Sequence, residues 1–211
     1  MKDFLLIANV NAITYKEFFP LLKEGIVRPG YRPFNKDFYF DLNDNDKERI
    51  VKEKKEGSGW KIVDGEICGR LANACWYTTL HTPDKKKLVL TKKYHHKLYP
   101  HYDNYRAIEV SRVKDIPYDY ECIMAVPITI FQYDLDNIMV KIDQQPERPL
   151  RKQIAIRGIW AGDREEADFI IKGTPTYVDE NNKSFQGPVV NGKAKYARVV
   201  INLARRKKTL K

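Results

Sequence analysis

The apolar residues of this chain fall into short runs separated by polar and Gly/Pro-rich breaks, a pattern that predicts strands more often than helices. Phe4 to Val10 (FLLIANV) is nearly unbroken, which predicts a strand buried on both faces, as in a parallel sheet covered by helices. A polar stretch with Asn9, Asn11 and Thr14 follows, and then Tyr15 to Glu24 (YKEFFPLLKE), predicted to be a helix. Gly25 to Pro33 is a loop, because Pro29, Gly30 and Pro33 stop the helix. Phe34 to Phe40 is aromatic and strand-like. Asp44 to Glu56 is charged with nearly cancelling signs, so it predicts a solvated helix or a mobile loop.

From Trp60 the pattern is that of strands. Candidates are Trp60 to Val63, Asn73 to Leu80 (rich in aromatic and β-branched residues), Leu88 to Thr91, Ala107 to Val110, Ile138 to Ile142, Ile154 to Trp160 and Tyr196 to Leu203. Pro127 interrupts the apolar run Ile123 to Phe131 and implies a strand edge or a bulge. Gly173 to Gly187 is polar and gapped, and a turn is expected near Asp115 to Tyr118. One strand–helix unit followed by a mostly β region predicts an α/β fold: residues 1–33 as the last piece of an α/β sheet, residues 34–211 as an antiparallel β elaboration with a basic tail.

With 211 residues the chain can bury a substantial core, and 12% aromatic residues argue against a disordered composition. No stretch approaches a membrane span and no secretory signal is visible, so a cytoplasmic protein without membrane contact is expected. Cys68, Cys75 and Cys122 lack CxxC spacing and are expected to be free, mostly buried thiols. The net charge is +10, and it is unevenly spread. Asn181 to Lys211 contains no acid but holds Lys183, Lys193, Lys195, Arg198, Arg205, Arg206, Lys207, Lys208 and Lys211. Such an end suits a polyanion, nucleic acid being the commonest; a solubilising tail is the alternative.

A second basic region supports the nucleic-acid reading. Lys85 to Tyr105 interleaves six lysines, Lys92 and Lys93 among them, with Tyr94, Tyr99, Tyr102 and Tyr105. Lysines neutralise phosphates, and tyrosines bond phosphates or stack on unstacked bases; the alternative is a basic loop whose tyrosines pack on the core. His95, His96 and His101 lack paired metal-ligand spacing, so no metal site is expected. Gly57-Ser58-Gly59 lacks the preceding buried strand and following helix of a cofactor loop. Asp134 and Asp136 form a DxD in a polar turn with no third carboxylate in register.

Four stretches in the same order carry a family resemblance. FLLIANVNAITYKEFFPLLKEG resembles the strand and helix after the catalytic loop of EcoRI-type adenine-specific DNA methyltransferases. ANACWYTTL resembles that family's CWFTNL strand, and the segment from Lys92 to Phe131, with its YPHYDNY and MAVPITIF, resembles its long "YPKYDNY…VPITFL" block. PVVNGKAKYARVVI is similar to its closing "NGK..YARILI" element.

The resemblance implies the C-terminal part of a class I, Rossmann-like methyltransferase sheet, S-adenosylmethionine as the cofactor of the complete enzyme, and methylation of the adenine amine in double-stranded DNA after base flipping. It also implies that this chain alone binds no cofactor and does not methylate. There is no Pro-Pro pair for the catalytic loop and no Gly-rich cofactor loop, and in the family both precede the stretch matched by Phe4 onward. A truncated product, or half of a split enzyme completed by a second polypeptide carrying the N-terminal catalytic half, is the expectation; a stand-alone DNA-binding or regulatory module is the alternative. Carried over by position, Asn9, Asn11 and Thr14 edge the active-site cleft. Tyr102, Asp103, Asn104 and Tyr105, with Asn191, Gly192, Tyr196 and Arg198, hold or read DNA, or else fix a β scaffold. Lys92, Lys93, Arg205 and Arg206 complete the expected DNA-binding set. No catalytic residue is assigned.

Overall fold

The computed structural model describes residues 2–15, 17–30, 34, 36–81, 85–160, 177–178, 184–185 and 187–205. In chain order the elements are β1 (Leu5–Asn9), a 3-10 turn (Val10–Thr14), α1 (Phe19–Lys23), β2 (Arg28–Pro29), β3 (Phe38–Asp41), α2 (Asp44–Glu53), β4 (Trp60–Val63), β5 (Glu66–Leu71), β6 (Ala74–Thr78), β7 (Val89–Leu90) and β8 (Ile108–Glu109). A second 3-10 turn (Val113–Asp115) leads to β9 (Met124–Pro127), a third (Ile128–Gln132), β10 (Met139–Val140), β11 (Arg148–Pro149) and β12 (Lys152–Trp160). Last come β13 (Tyr177–Val178), β14 (Ser184–Phe185), β15 (Val189–Val190), β16 (Lys193–Ala194) and β17 (Arg198–Arg205). The fold is mixed α/β, mostly sheet with few helices.

The first strand departs from its expectation. β1 lies at the edge of the sheet β1-β6-β2 and pairs antiparallel with β6, Leu5 opposite Thr78 and Asn9 opposite Ala74. Leu5, Leu6 and Ile7 are 58%, 39% and 45% exposed, so among the described residues β1 is an edge strand that nothing covers; an apolar run reports solvent transfer preference, not what covers it. Phe4 and Ala8 pack against the core, and Val10 at the end of the stretch is buried within it. β2 is also antiparallel to β6, so β1 and β2 run in the same direction on either side of it.

The helix expected over Tyr15 to Glu24 shortens to Phe19–Lys23, because the polar stretch before it closes into the 3-10 turn and Pro20 sits in the first helical turn. The strand expected over Phe34 to Phe40 starts later, at Phe38, and joins β5 and β4 in a sheet of order β3-β5-β4. α2 forms in the charged stretch with no buried residue, capped by the Asn43 side chain accepting from the Asp46 amide. Gly57 and Gly59, both at positive φ, turn the chain from α2 towards β4.

The sheet of order β12-β17-β9-β8 organises the rest. In β17, Val199, Ile201 and Leu203 enter the main core with Met124 and Val126 of β9. Val200 points the other way and joins Ala125, Val190, Tyr102 and Ala107 in a second, smaller cluster. This is the two-residue alternation of a pleated strand with both faces covered. Pro127 ends β9 opposite Arg198 and the chain continues as a 3-10 turn, which explains the interruption read from the sequence.

Candidate nucleic-acid interface

The smaller cluster is roofed by two segments far apart in sequence, and the expected DNA-binding residues sit where they meet. β15 and β16 form a hairpin whose two-residue loop is Asn191-Gly192, at φ 49° and 70°. Positive φ at both positions is what the tight primed hairpin turn requires, and Asn-Gly is the pair that tolerates it best. Asp103 clips this turn: its Oδ1 accepts from the Asn191 amide at 3.1 Å and its Oδ2 from the Gly192 amide at 2.7 Å. The Asp103 amide donates to Val189 O at 2.8 Å. Asn104 adds a second clip, donating from Nδ2 to Gly187 O at 2.7 Å and accepting from the Val189 amide at 3.2 Å.

Beneath the roof lies a buried ion pair. The Glu109 side chain is 2% exposed and the Arg198 side chain 11%. Arg198 Nη2 donates to Glu109 Oε1 at 2.7 Å and Nε to Oε2 at 3.1 Å, a fork that matches the carboxylate. The Tyr102 hydroxyl donates to the same Oε2. Arg198 Nη1 also reaches the carbonyls of Tyr196 and Ala197, each at 3.4 Å. Glu109 escaped the sequence reading. The signal for it is an acid inside the apolar run Ala107 to Val110, where a buried charge demands a partner.

Asp103 and Asn104 therefore join the Asn191 hairpin through its backbone, and Tyr102 and Arg198 meet on the Glu109 carboxylate. Tyr105 is half-buried against the smaller cluster. Lys92 and Lys93 are exposed, with the Lys92 backbone bridged to Pro117. The turn expected near Asp115 to Tyr118 is displaced: a 3-10 turn ends at Asp115, Ile116 is fully buried and Pro117 forms that bridge, with the chain turning again only at Tyr118–Asp119. Tyr196 is 89% exposed. Arg205 lies at the far end of β17 from Arg198, about 24 Å along an eight-residue strand, and is not part of this cluster. Near it the Lys152 ammonium holds the Glu121 carboxyl below the usual carboxylate range, with Arg205 adding to the effect. Arg206 lies outside the described residues.

Asn9, Asn11 and Thr14 come together elsewhere, at the end of β1. Asn9 Oδ1 accepts from the Asn11 amide at 2.8 Å and Thr14 Oγ1 donates to Asn11 O at 2.7 Å. Buried Tyr77 donates from its hydroxyl to Val10 O at 3.1 Å, fixing the turn to β6. These groups satisfy the turn itself, so they do not by themselves make a site for S-adenosylmethionine.

A cavity of about 640 Å³ opens beside α1, lined in part by Arg28, His81, Lys85, Asp134 and Asp136. The DxD there is an Asx turn, with Asp134 accepting from the Asp136 amide at 2.9 Å and the Asn137 amide at 3.2 Å. Among the described residues no group of three or more His, Cys, Asp or Glu could hold a metal, and no helix is long and apolar enough to cross a membrane. His95 and His96 stack on each other at 4.8 Å.

The family model described as adenine-specific methyltransferase EcoRI matches residues 1–205. The chain belongs to this family. It is 35% identical over 153 residues to the type II methyltransferase M.EcoRI of Escherichia coli, a match covering 68% of this chain and 45% of that protein. It is 28% identical over 205 residues to the type II methyltransferase M.MgeORF184P of Mycoplasma genitalium, covering 95% and 56%. It is 31% identical over 136 residues to the type II methyltransferase M.MpnI of Mycoplasma pneumoniae, covering 61% and 40%. The chain thus spans about half the length of these relatives. No solved structure matches it.

Proposed function

We propose that this chain is the DNA-recognising portion of an adenine-specific DNA methyltransferase of the restriction–modification type, acting on double-stranded DNA in the cytoplasm. The observation that carries the reading is the clip at Asp103 and Asn104, which locks the basic segment Lys92–Arg106 to the hairpin Val189–Ala194. The joined segments present Lys92, Lys93, Lys97, Arg106, Lys193 and Lys195, all exposed. Asp103 and Asn104 are occupied by the hairpin and Glu109 is buried by Arg198. Glu109 is thus neutralised, and exposed Asp103 sets one negative charge against these six positive ones, so the face stays basic towards solvent. In this division of labour Tyr102, Asp103, Asn104, Asn191 and Arg198 hold the face, while the exposed cations and Tyr196 meet the DNA.

Methyl transfer belongs to the complete assembly. S-adenosylmethionine supplies the methyl group there; this chain has neither the Gly-rich loop nor the Pro-Pro loop of the family, so alone it binds no cofactor and does not methylate. β1 serves as the fifth strand of a class I sheet: its direction is shared with β2, and its outer edge is unpaired among the described residues. A segment corresponding to the relatives' unmatched half, on a second polypeptide, completes that sheet. Asn9, Asn11 and Thr14 then border the active-site cleft.

Fluorescence anisotropy of a labelled duplex with the purified chain tests the DNA reading. If all six cations touch phosphates, affinity falls about 10³-fold between about 50 and 200 mM salt. Binding that ignores salt, or no binding, refutes it. Adding a polypeptide that carries the unmatched half of a relative tests the assembly. Methyl transfer appearing only in the mixture supports completion by a partner, whereas continued inactivity with intact DNA binding favours a stand-alone DNA-binding module.

A further inference from the structure

We propose that Tyr196 is the stacking residue of this interface, placing its ring against a nucleobase that has lost its own stacking partner. The inference rests on the DNA-binding reading above. It separates one tyrosine from the others in the two basic segments. Tyr99 and Tyr102 are each 5% exposed. Tyr94 lies against Tyr99 at 5.7 Å and Tyr120 at 4.4 Å, and Tyr105 packs on the smaller cluster. Tyr196, at 89% exposure, is the tyrosine of these segments whose ring faces are open to a ligand.

Its backbone, in contrast, is held. The Lys195 amide donates to Pro188 O at 2.7 Å, which ties the preceding residue to the base of the hairpin. The Arg198 guanidinium reaches the Tyr196 and Ala197 carbonyls from inside while its own position is set by Glu109. β17 starts two residues later. An exposed ring gives up the burial available to it, and with the backbone already held only its two side-chain torsions are left to order when a flat partner arrives. Exposed Lys193 and Lys195 precede it in the chain, which suits a flat, apolar surface carried on a polyanion. A nucleobase on its phosphate backbone meets both demands, and bases stack on aromatic side chains without regard to sequence. Base flipping for methylation leaves such an unstacked neighbour in the duplex.

The test compares two duplexes of the same length, one fully paired and one with a single unpaired adenine flanked by 2-aminopurine. Wild-type chain is expected to prefer the unpaired duplex and to quench the reporter. Tyr196→Ala should bind that duplex about 5- to 150-fold more weakly, lose the quenching and keep the same salt slope; Tyr196→Phe should retain both preference and quenching. Unchanged thermal unfolding of the Ala variant, expected for an exposed side chain, separates lost stacking from lost fold. If Tyr196→Ala keeps the preference, or weakens both duplexes equally, the stacking role is overturned while the DNA-binding reading stands. A sedimentation shift from dimer to monomer in Tyr196→Ala also overturns it, because the ring is then a protein contact. Absence of salt-dependent DNA binding by the wild-type chain removes both readings.

Discussion

Replacing Arg198 with Met tests whether this arginine is a strut or a DNA contact. The substitution keeps an unbranched, apolar stem but leaves the Glu109 carboxylate, 2% exposed, with the Tyr102 hydroxyl and without its counter-charge. Removing one partner of a buried pair costs about 3–5 kcal/mol, chiefly from the stranded charge. For a chain of this size 1 kcal/mol moves the melting temperature by about 2–4 °C, so a fall of about 6–20 °C is expected. Urea unfolding should give a lower midpoint at an unchanged m value. Adding Glu109→Gln removes the stranded charge while leaving an oxygen for Tyr102, so the double variant should recover about 1–3 kcal/mol relative to Arg198→Met. The double variant then answers the functional question. If Arg198 touches no phosphate, the slope of log affinity against log salt matches wild type; a slope smaller by about 0.9 makes Arg198 a phosphate ligand. Stability within about 0.5 kcal/mol of wild type in Arg198→Met, or additive losses in the double variant, would refute the strut.

The clip gives a second expectation. Asp103→Ala frees two turn amides and should cost about 1–2 kcal/mol, modest because Asp103 is exposed, while lowering DNA affinity measured by anisotropy. Thiol labelling of the native chain should modify exposed Cys122 first, because Cys68 and Cys75 are buried and burial pushes the Cys75 thiol up to about 11; mass spectrometry of the labelled peptides reads the order. Asp134 gives the pH dependence. Burial opposes its ionisation, but hydrogen bonds from the Asn137 side chain and the Asp136 and Asn137 amides prevail and hold it below its ordinary value. A depressed carboxyl stabilises the fold fully above its unfolded value, near pH 4, and that contribution is lost as pH falls through the lower folded value. Asp134→Asn should therefore flatten the acid limb of stability against pH, read as urea midpoints between about pH 2 and 5.

The strands were legible where side-chain type and alternation agreed with burial. Asn73 to Leu80 and Ile154 to Trp160 contain β6 and most of β12, and the break at Pro127 is real. β5 was not foreseen, because Glu66 to Leu71 (EICGRL) mixes charge, glycine and apolar residues without a period. β1 was legible as an apolar strand, but its exposure was not, because hydrophobicity says what a residue prefers, and the outer neighbour decides whether it is satisfied. In the candidate interface, basic residues and motif positions could be read directly. Which of them hold and which face solvent could not, because the choice is made by pairings such as Asp103 with the Asn191 turn, invisible in a linear pattern. Glu109 was hidden for the same reason: its partner is 89 positions away.

That separation has a consequence for synthesis. The contacts that close the candidate interface span 83 to 89 residues, from Asn104 to Gly187 and from Glu109 to Arg198. Nothing local can stand in for them, and closing such long loops comes late in folding. A chain emerging from the ribosome carries the lysines of the first basic segment long before the hairpin that orders them. The candidate interface is thus assembled only when β17 has been made. A nascent chain, or one trimmed by a protease ahead of Arg198, would keep most of its sequence and lose the surface.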